Sequence, residues 1–109
     1  MASEILSVSH TAGVTNSESV LINGVSGHTY NILSILITET AGAAETVDLY
    51  IDDGGGGTDY EVLSDQAVGA NETFEFTGRL VLVDEDHLCA AAASSANIDI
   101  VISYLDQTR

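Results

Sequence analysis

Residues 46–52 read TVDLYID, and this stretch decides the fold class. Val47, Leu49 and Ile51 alternate with other side chains at a period of two, the pattern of a β-strand with one buried face. Tyr50 falls on the opposite side and is expected to lie outside. Elsewhere the aliphatic residues also come in short runs with period two rather than at helical spacing. The sequence therefore predicts an all-β chain.

Eight or nine strands are predicted, because turn signals recur about every ten residues, the spacing of an antiparallel β-sandwich or small barrel. In ETFEFT at 72–77, Phe74 and Phe76 should point inward, with Glu75 and Thr77 outward. The alanine-rich run at 90–96 is predicted as a strand end followed by a turn. The predicted strands are 4–10, 18–24, 28–40, 46–52, 58–64, 72–77, 79–84, 86–93 and 97–106, and residues 11–17 are predicted as a turn.

The strand at 28–40, HTYNILSILITET, is the longest and is apolar on both sides. Such a strand is central in its sheet or has one face covered by another subunit. A strict period of two assigns its apolar residues to two faces, with Leu33, Ile35 and Ile37 on one and Tyr30, Ile32 and Leu36 on the other.

Composition limits the classes of function. The 109 residues suffice for a single domain, taken as residues 1–109, and a 45% apolar content argues for a folded chain rather than a disordered one. Two arginines, no lysine and seventeen acidic residues give a net charge of −15, which repels nucleic acid and anionic membranes. No apolar run approaches the ~20 residues of a membrane-spanning helix. No signal peptide is visible, so a soluble, non-exported protein is expected.

The most conspicuous candidate site is DDGGGGTDY at 52–60. A repeat-type calcium loop needs a large apolar residue where Glu61 stands, and an EF-hand needs a glutamate where Leu63 stands. A phosphate loop needs a lysine, which the chain lacks. We interpret the stretch as an exposed hairpin tip joining two outer strands. A looser calcium site using Asp52, Asp53 and Asp59 stays open as an alternative.

The remaining candidates give no catalytic or metal-binding pattern. The histidines His10, His28 and His87 fall at three predicted strand ends without zinc-site spacing, and Cys89 in HLCAAA is expected to be a small buried side chain. The acidic run DEDH at 84–87 is interpreted as a polar turn, with Asp84 or Glu85 paired to Arg79. No nucleophile elbow or catalytic triad is recognisable. We predict no catalytic residues, no metal, no cofactor and no enzymatic activity.

Residues 17–106 contain an ordered pattern of strands and turns: a turn at 25–27, the long strand at 32–40, small residues before VDLYI at 41–51, NET at 71–73, a stretch at 78–86 with a polar pair, and a final alternating strand at 98–105. In this pattern the chain resembles small virion proteins of tailed bacteriophages. The chain departs from that pattern by lacking a proline in the first turn and by its high acidity.

The resemblance implies a jelly-roll β-sandwich and a structural role. Such proteins include capsid decoration (cement) proteins, commonly trimers bound to the major capsid protein on the capsid surface and made in the host cytoplasm. The alternative is a tail or baseplate module that binds a receptor or carbohydrate. The scarcity of aromatic side chains, with no tryptophan and four tyrosines, disfavours sugar binding.

Overall fold

The computed structural model describes residues 3–54 and 56–109. Within those ranges the chain forms nine β-strands and no helix, which confirms the all-β prediction. No membrane-spanning helix is present in this described part of the chain. The strands are β1 (Ser3–Val14), β2 (Ser19–Asn23), β3 (His28–Glu39), β4 (Glu45–Asp52), β5 (Asp59–Val68), β6 (Thr73–Phe76), β7 (Leu80–Val83), β8 (His87–Ala92) and β9 (Ile98–Thr108).

The strands form two antiparallel sheets packed as a sandwich. The first sheet has the order β1-β9-β3-β6, and β7 also pairs with β3. The second sheet has the order β2-β8-β4-β5. Because β6 and β7 pair with successive segments of β3, they together occupy one strand position, and each sheet has four positions. The chain passes between the sheets in the order of a jelly roll, so the predicted architecture is confirmed.

The core lies between the sheets and is almost entirely aliphatic. The alternation predicted for β4 is present, with Val47 and Leu49 fully buried. Phe74 and Phe76 are half-buried and pack against the core, as predicted, while Glu75 and Thr77 are exposed. Each fully buried aliphatic side chain stabilises the fold by about 1.5–3 kcal/mol relative to its exposed state. The most deeply buried include Ile35, Ile37, Leu82, Leu88, Ile98, Ile100 and Ile102.

Strand β3 is central in its sheet, as predicted, but the prediction of its two faces was wrong. Ile32 pairs with Tyr104 of β9 and Ser34 pairs with the adjacent Ser103, so Leu33 is an extra residue in a β-bulge. One inserted residue reverses which positions face the core. The core therefore receives Tyr30 and Ile32 before the bulge and Ile35 and Ile37 after it, while Leu33 is 52% exposed and Leu36 37% exposed.

Strand β1 was predicted too short. It continues to Val14 through a second bulge, where Gly13 has a φ of 68° that an L side chain rarely adopts. Part of the predicted turn at 11–17 is therefore strand, and His10 lies inside β1 rather than at its end. Likewise β5 runs on to Val68 across irregular pairing with β4.

The alanine-rich segment follows its prediction. Strand β8 ends at Ala92 and the next three residues form the turn before β9. Ala90 and Ala92 are buried, where small side chains let the two sheets approach closely. Cys89 is a free, fully buried cysteine, as predicted, and burial raises the pKa of its thiol to about 12. A thiol in that environment stays protonated and unreactive at neutral pH.

Candidate interaction surfaces

The outer side of the first sheet carries large apolar side chains that no other part of the described chain covers. In β7, Val81 and Val83 flank Leu82, which is fully buried, so the two valines point away from the core. Leu36 likewise points outward between Ile35 and Ile37 of β3. We call this surface the apolar face; its residues and their exposed fractions are Leu6 72%, Val8 51%, Leu33 52%, Leu36 37%, Val81 50% and Val83 38%.

Strand register aligns side chains of the apolar face in a row across the sheet, with the uncharged Asn31 among them. Leu6 of β1 pairs with Leu105 of β9, and Leu105 pairs in turn with Asn31 of β3. Asn31 pairs with Val81, which completes a row of neighbouring side chains across all four strand positions. Directly paired residues of antiparallel strands lie on the same side of the sheet. Charged side chains on this side stand near its margins, at Glu4, Glu75 and Asp99.

The outer side of the second sheet is acidic. Asp48 lies between the buried Val47 and Leu49 and therefore points outward, and further along the sheet Tyr50 pairs with Glu61. The last pair of this ladder joins Asp52 to Asp59. We call this surface the acidic face; it consists of Asp48, Tyr50, Asp52, Asp59 and Glu61.

Two titratable groups on the acidic face have raised pKa values. For Glu61 the causes are burial first and then the neighbouring carboxylates of Asp48, Asp59 and Asp65. Tyr50 lies on the outer side, as predicted, but is half-buried, and its hydroxyl donates a hydrogen bond to the Glu18 carboxylate. Burial and this hydrogen bond raise the pKa of Tyr50. In both groups loss of contact with water is the first cause of the raised pKa, and neighbouring negative charge adds to it.

The segment 52–60 forms the predicted hairpin between β4 and β5; Gly55 lies outside the described residues. The Asp53 amide donates to the Thr58 carbonyl at 3.0 Å, and the Gly56 amide donates to the Asp52 carboxylate at 2.8 Å. The Asp52 side chain thus stabilises the loop backbone. Only β5 is an outer strand, since β4 lies between β8 and β5, which corrects the prediction of two outer strands.

The geometry gives the looser calcium alternative no support. Over residues 3–54 and 56–109, no three His, Cys, Asp or Glu side chains are grouped so that they could hold a metal ion. His28 places its Nδ1 atom 2.7 Å from the Asp106 carboxylate and stacks on Tyr30, with ring centroids 5.8 Å apart. His10 belongs to β1 of the first sheet and His87 begins β8 of the second.

The DEDH segment is a turn between β7 and β8, as predicted, but its ion pair is different. The Asp84 carboxylate accepts a hydrogen bond from the Gly27 amide at 2.9 Å and from the guanidinium of Arg109. The prediction of Arg79 as the partner was wrong, because the β7–β8 turn lies beside the end of β9. A Cβ atom at Gly24 would come within 2.1 Å of the Asp86 carbonyl oxygen, so this contact between loops requires glycine.

Sequence reasoning missed Glu39, a buried charged residue at the end of β3 that is 1% exposed. Its carboxylate accepts backbone hydrogen bonds from Ala41, Gly42 and Ala43 of the β3–β4 loop and from Asn71 of the β5–β6 loop, at 2.8–3.1 Å. Burial raises the pKa of this carboxyl, but the four N–H donors outweigh it, and the net pKa is lowered. The only sequence signal was a glutamate followed by the small residues TAGAA.

Glu39 therefore acts as a structural tie between two loops rather than as a reactive group. A shallow depression nearby is lined by Ala44, Ala67 and Gly69 together with Glu45, Thr46 and Val68. The Glu45 carboxylate accepts a hydrogen bond from the Ser94 hydroxyl, and this bond lowers the pKa of Glu45. The Glu39 and Glu45 carboxylates at this end of the sandwich thus both accept hydrogen bonds from protein donors.

Comparisons with known proteins support the fold at low sequence identity. No protein-family model matches the sequence, and no curated protein matches it either. A subunit of the Bacillus endospore appendages, a family of disulfide-linked pili, superposes with a TM-score of 0.59 at 10% identity, over 98% of this chain and 87% of that one. A chain of the capsid of Helicobacter pylori bacteriophage KHP30 gives a TM-score of 0.59 at 9% identity, over 96% and 93%.

A larger viral protein contains the same arrangement as one part of its length. A chain of the T13 IBDV viral particle gives a TM-score of 0.54 at 9% identity, over 100% of this chain and 35% of that one. Identities this low establish similarity of fold alone. The chain has a β fold of the kind found in viral capsid proteins.

Proposed function

We propose that this chain is a non-enzymatic structural protein of a virion, and specifically a decoration (cement) protein that forms a homotrimer on the head of a tailed bacteriophage. The observation that carries the proposal is the apolar face on a fold shared with capsid proteins. Soluble monomers rarely expose a contiguous apolar surface of this kind, and such a surface marks a site of protein association.

The chemistry of the polar groups supports a structural role. Asp84 binds a backbone amide and Arg109, Glu39 binds four backbone amides, and Asp52 binds the hairpin backbone. In each case a carboxylate that could serve a reaction instead completes a turn or joins two loops. We propose that the chain works as one domain whose loops are fixed for assembly rather than for catalysis.

Partners and location follow from the same proposal. The protein would be made in the host cytoplasm, join the virion at the capsid surface and bind the major capsid protein. Its net charge of −15 opposes binding to nucleic acid or to an anionic membrane. A decoration protein needs neither of these partners.

A second candidate is a receptor- or carbohydrate-binding module of a tail or baseplate. The observation that favours it is Tyr60 on the edge strand β5, whose side chain is 56% exposed and could stack on a sugar ring. Tyr50, the other candidate for such stacking, is half-buried and bonded to Glu18. One exposed ring is a small platform, so this candidate ranks second.

A cryo-EM map of the parent phage particle tests the two candidates. We expect density for the sandwich in groups of three on the outside of the head. Heads that lack the protein should regain that density when purified protein is added. Density at the tail tip, or no binding to such heads, would contradict the decoration proposal and favour the second candidate.

A further inference from the structure

We infer that the apolar face is the surface through which copies of this chain pack against one another, so that its occupant is a second copy of the same chain. The inference deepens the proposed function and rests on the self-association proposed there. It specifies that the apolar face lies between subunits and that the acidic face remains available to other partners.

The apolar face has the size of a specific interface. Four strand positions at ~4.8 Å spacing and the eleven residues of the inner strand β9 at ~3.3 Å each give the outer side of the sheet a flat extent of ~19 by ~36 Å, or roughly 700 Å² before side-chain relief is counted. Each partner in a standard protein interface contributes about 800 Å². Leu33 and Leu36 lie on the central strand β3, and the charged Glu4, Glu75 and Asp99 lie toward the margins. Among these apolar side chains the inner strands β3 and β9 also place the uncharged Asn31, Ser34 and Ser103, so charge is confined to the rim, as is usual in such interfaces.

Charge identifies the occupant. Two copies of a chain with net charge −15 repel each other, and the repulsion is smallest where the approaching surfaces carry the fewest carboxylates. A positively charged partner would instead be attracted to the acidic face, where Asp48, Asp59 and Glu61 lie together. Sorting of charge between the two faces therefore favours a like-charged copy on the apolar face.

The free edge of the first sheet points to the same surface. β1 is twelve residues long, pairs with β9 alone among the described strands, and exposes Leu6 by 72% and Val8 by 51% on the side of the apolar face. Proteins usually protect such edges with charges, bulges or short strands. The opposite sheet does so, since β5 has irregular pairing and three acidic residues and β2 has five residues. Before its bulge, β1 pairs regularly from Ser3 to Thr11 with Glu4 as its one acidic residue, so Leu6 and Val8 extend the apolar face to this edge.

A matched pair of variants tests the inference. Val81 on the apolar face and Val20 on the second sheet both lie on short strands and are 50% and 46% exposed. Val81→Glu and Val20→Glu thus remove the same side chain and add the same charge. In sedimentation at fixed salt, we expect Val81→Glu to raise the dissociation constant of the oligomer at least about tenfold, since a glutamate would be buried between copies, and Val20→Glu to leave it within about twofold.

A second measurement does not depend on disrupting the oligomer. The chain has no tryptophan, so single substitutions report on their own surroundings. Leu33→Trp should show a blue-shifted emission that returns to the solvent value on dilution, whereas Tyr60→Trp should keep a solvent-like emission at every concentration. Circular dichroism of each variant shows whether the fold is retained.

The outcomes separate the inference from the proposed function. Dissociation by Val81→Glu alone supports the inference, whether or not the protein binds phage heads. Dissociation by Val20→Glu alone, or an indole at position 33 that never becomes buried, overturns the inference while leaving a trimer in place. A wild-type protein that is monomeric at all concentrations and salts overturns both the inference and the proposed trimer.

Discussion

The outer faces of the two sheets are both built from antiparallel strands, but one face is apolar and the other is acidic. On both sheets the outward side chains alternate with those of the same aliphatic core, yet one outer face exposes Leu6, Leu33 and Val81 while the other carries the half-buried Asp48 and the exposed Asp59 and Glu61. Burial between the sheets restricts the inward positions to apolar side chains, whereas the outward positions are unrestricted by the fold of a monomer. In our proposal, the difference between the faces reflects what each one meets outside the chain.

The largest expected effect separates the inner and outer sides of one strand. Leu82→Ala removes a fully buried side chain and should lower the free energy of unfolding by about 2–5 kcal/mol. Val81→Ala, one position away, should change the unfolding of the monomer by less than about 0.5 kcal/mol and weaken only self-association. Urea denaturation of dilute protein measures the first quantity and sedimentation the second. Equal losses of monomer stability would show that Val81 belongs to the core.

Salt should strengthen the association of copies, because it screens the repulsion between their negative charges. Three copies bring about 45 negative charges together, and the Debye length falls from ~10 Å at 0.1 M to ~3 Å at 1 M salt. We expect the dissociation constant of the trimer to fall about tenfold over that range, as the repulsion is screened. Sedimentation equilibrium in NaCl measures it. A dissociation constant that rises with salt would mean that ion pairs hold the copies together.

Calcium provides the control for the salt experiment. CaCl₂ and NaCl at equal ionic strength should act alike if screening is the cause. A stronger effect of CaCl₂ that disappears in Asp52→Asn and Asp59→Asn would instead reveal a calcium site at the hairpin.

Glu39 and Glu61 should respond to pH in opposite directions. The folded pKa of Glu39 lies below its ordinary value of 4.5, so its ionised form stabilises the fold above about pH 4.5 and this contribution is lost as pH falls through the lowered pKa. Glu39→Gln should therefore lower Tm at pH 7, and the difference from wild type should shrink in acid. Thermal melts at several pH values test this. Wild type and Glu39→Gln are compared at each pH because Glu45, which titrates close by, is present in both proteins, so its own contribution cancels from the difference in Tm.

Glu61 should give the smallest effect and the opposite sign. Its folded pKa is raised from 4.5, so ionisation destabilises the fold as pH rises through that range, and the cost persists at neutral pH. Glu61→Gln should raise Tm slightly at pH 7 and leave it unchanged in acid, where Glu61 is protonated. Asp99→Asn on the rim of the apolar face, remote from this cluster, is not expected to reproduce the gain. A lower Tm for Glu61→Gln would show that its charge stabilises the fold.

The sequence predicts well those features that depend on a strand alone. Alternation in β4 and in β6 correctly places Val47, Leu49, Phe74 and Phe76 toward the core, because strand geometry permits only that arrangement. The strand end and turn predicted for 90–96 are also present, with β8 ending at Ala92, one residue before the predicted bound. These predictions need no knowledge of neighbouring strands.

Features that depend on neighbouring strands were not predictable. The bulge at Leu33 is defined by the pairing of β3 with β9, and period two carries no information about which strand is adjacent. Asp84 contacts Arg109 because the end of β9 lies beside the β7–β8 turn. The two residues are far apart in the sequence, so no local pattern indicates this contact. Glu39 looks like an ordinary exposed acid until two loops supply its four N–H donors.

Strand β3 contains residues that build the core and one extra residue, Leu33, that lies on the exterior. If Leu33 were deleted, Tyr30, Ile32, Ile35 and Ile37 would fall into unbroken alternation, and each would still reach the core. Opposite the bulge, the break between β6 and β7 at residues 77–79 already accommodates the mismatch. We therefore expect Leu33 to be dispensable for building the sandwich and to contribute only to its exterior. A shortened strand would keep the architecture and lose part of the surface through which, in our proposal, the molecule recognises its own kind.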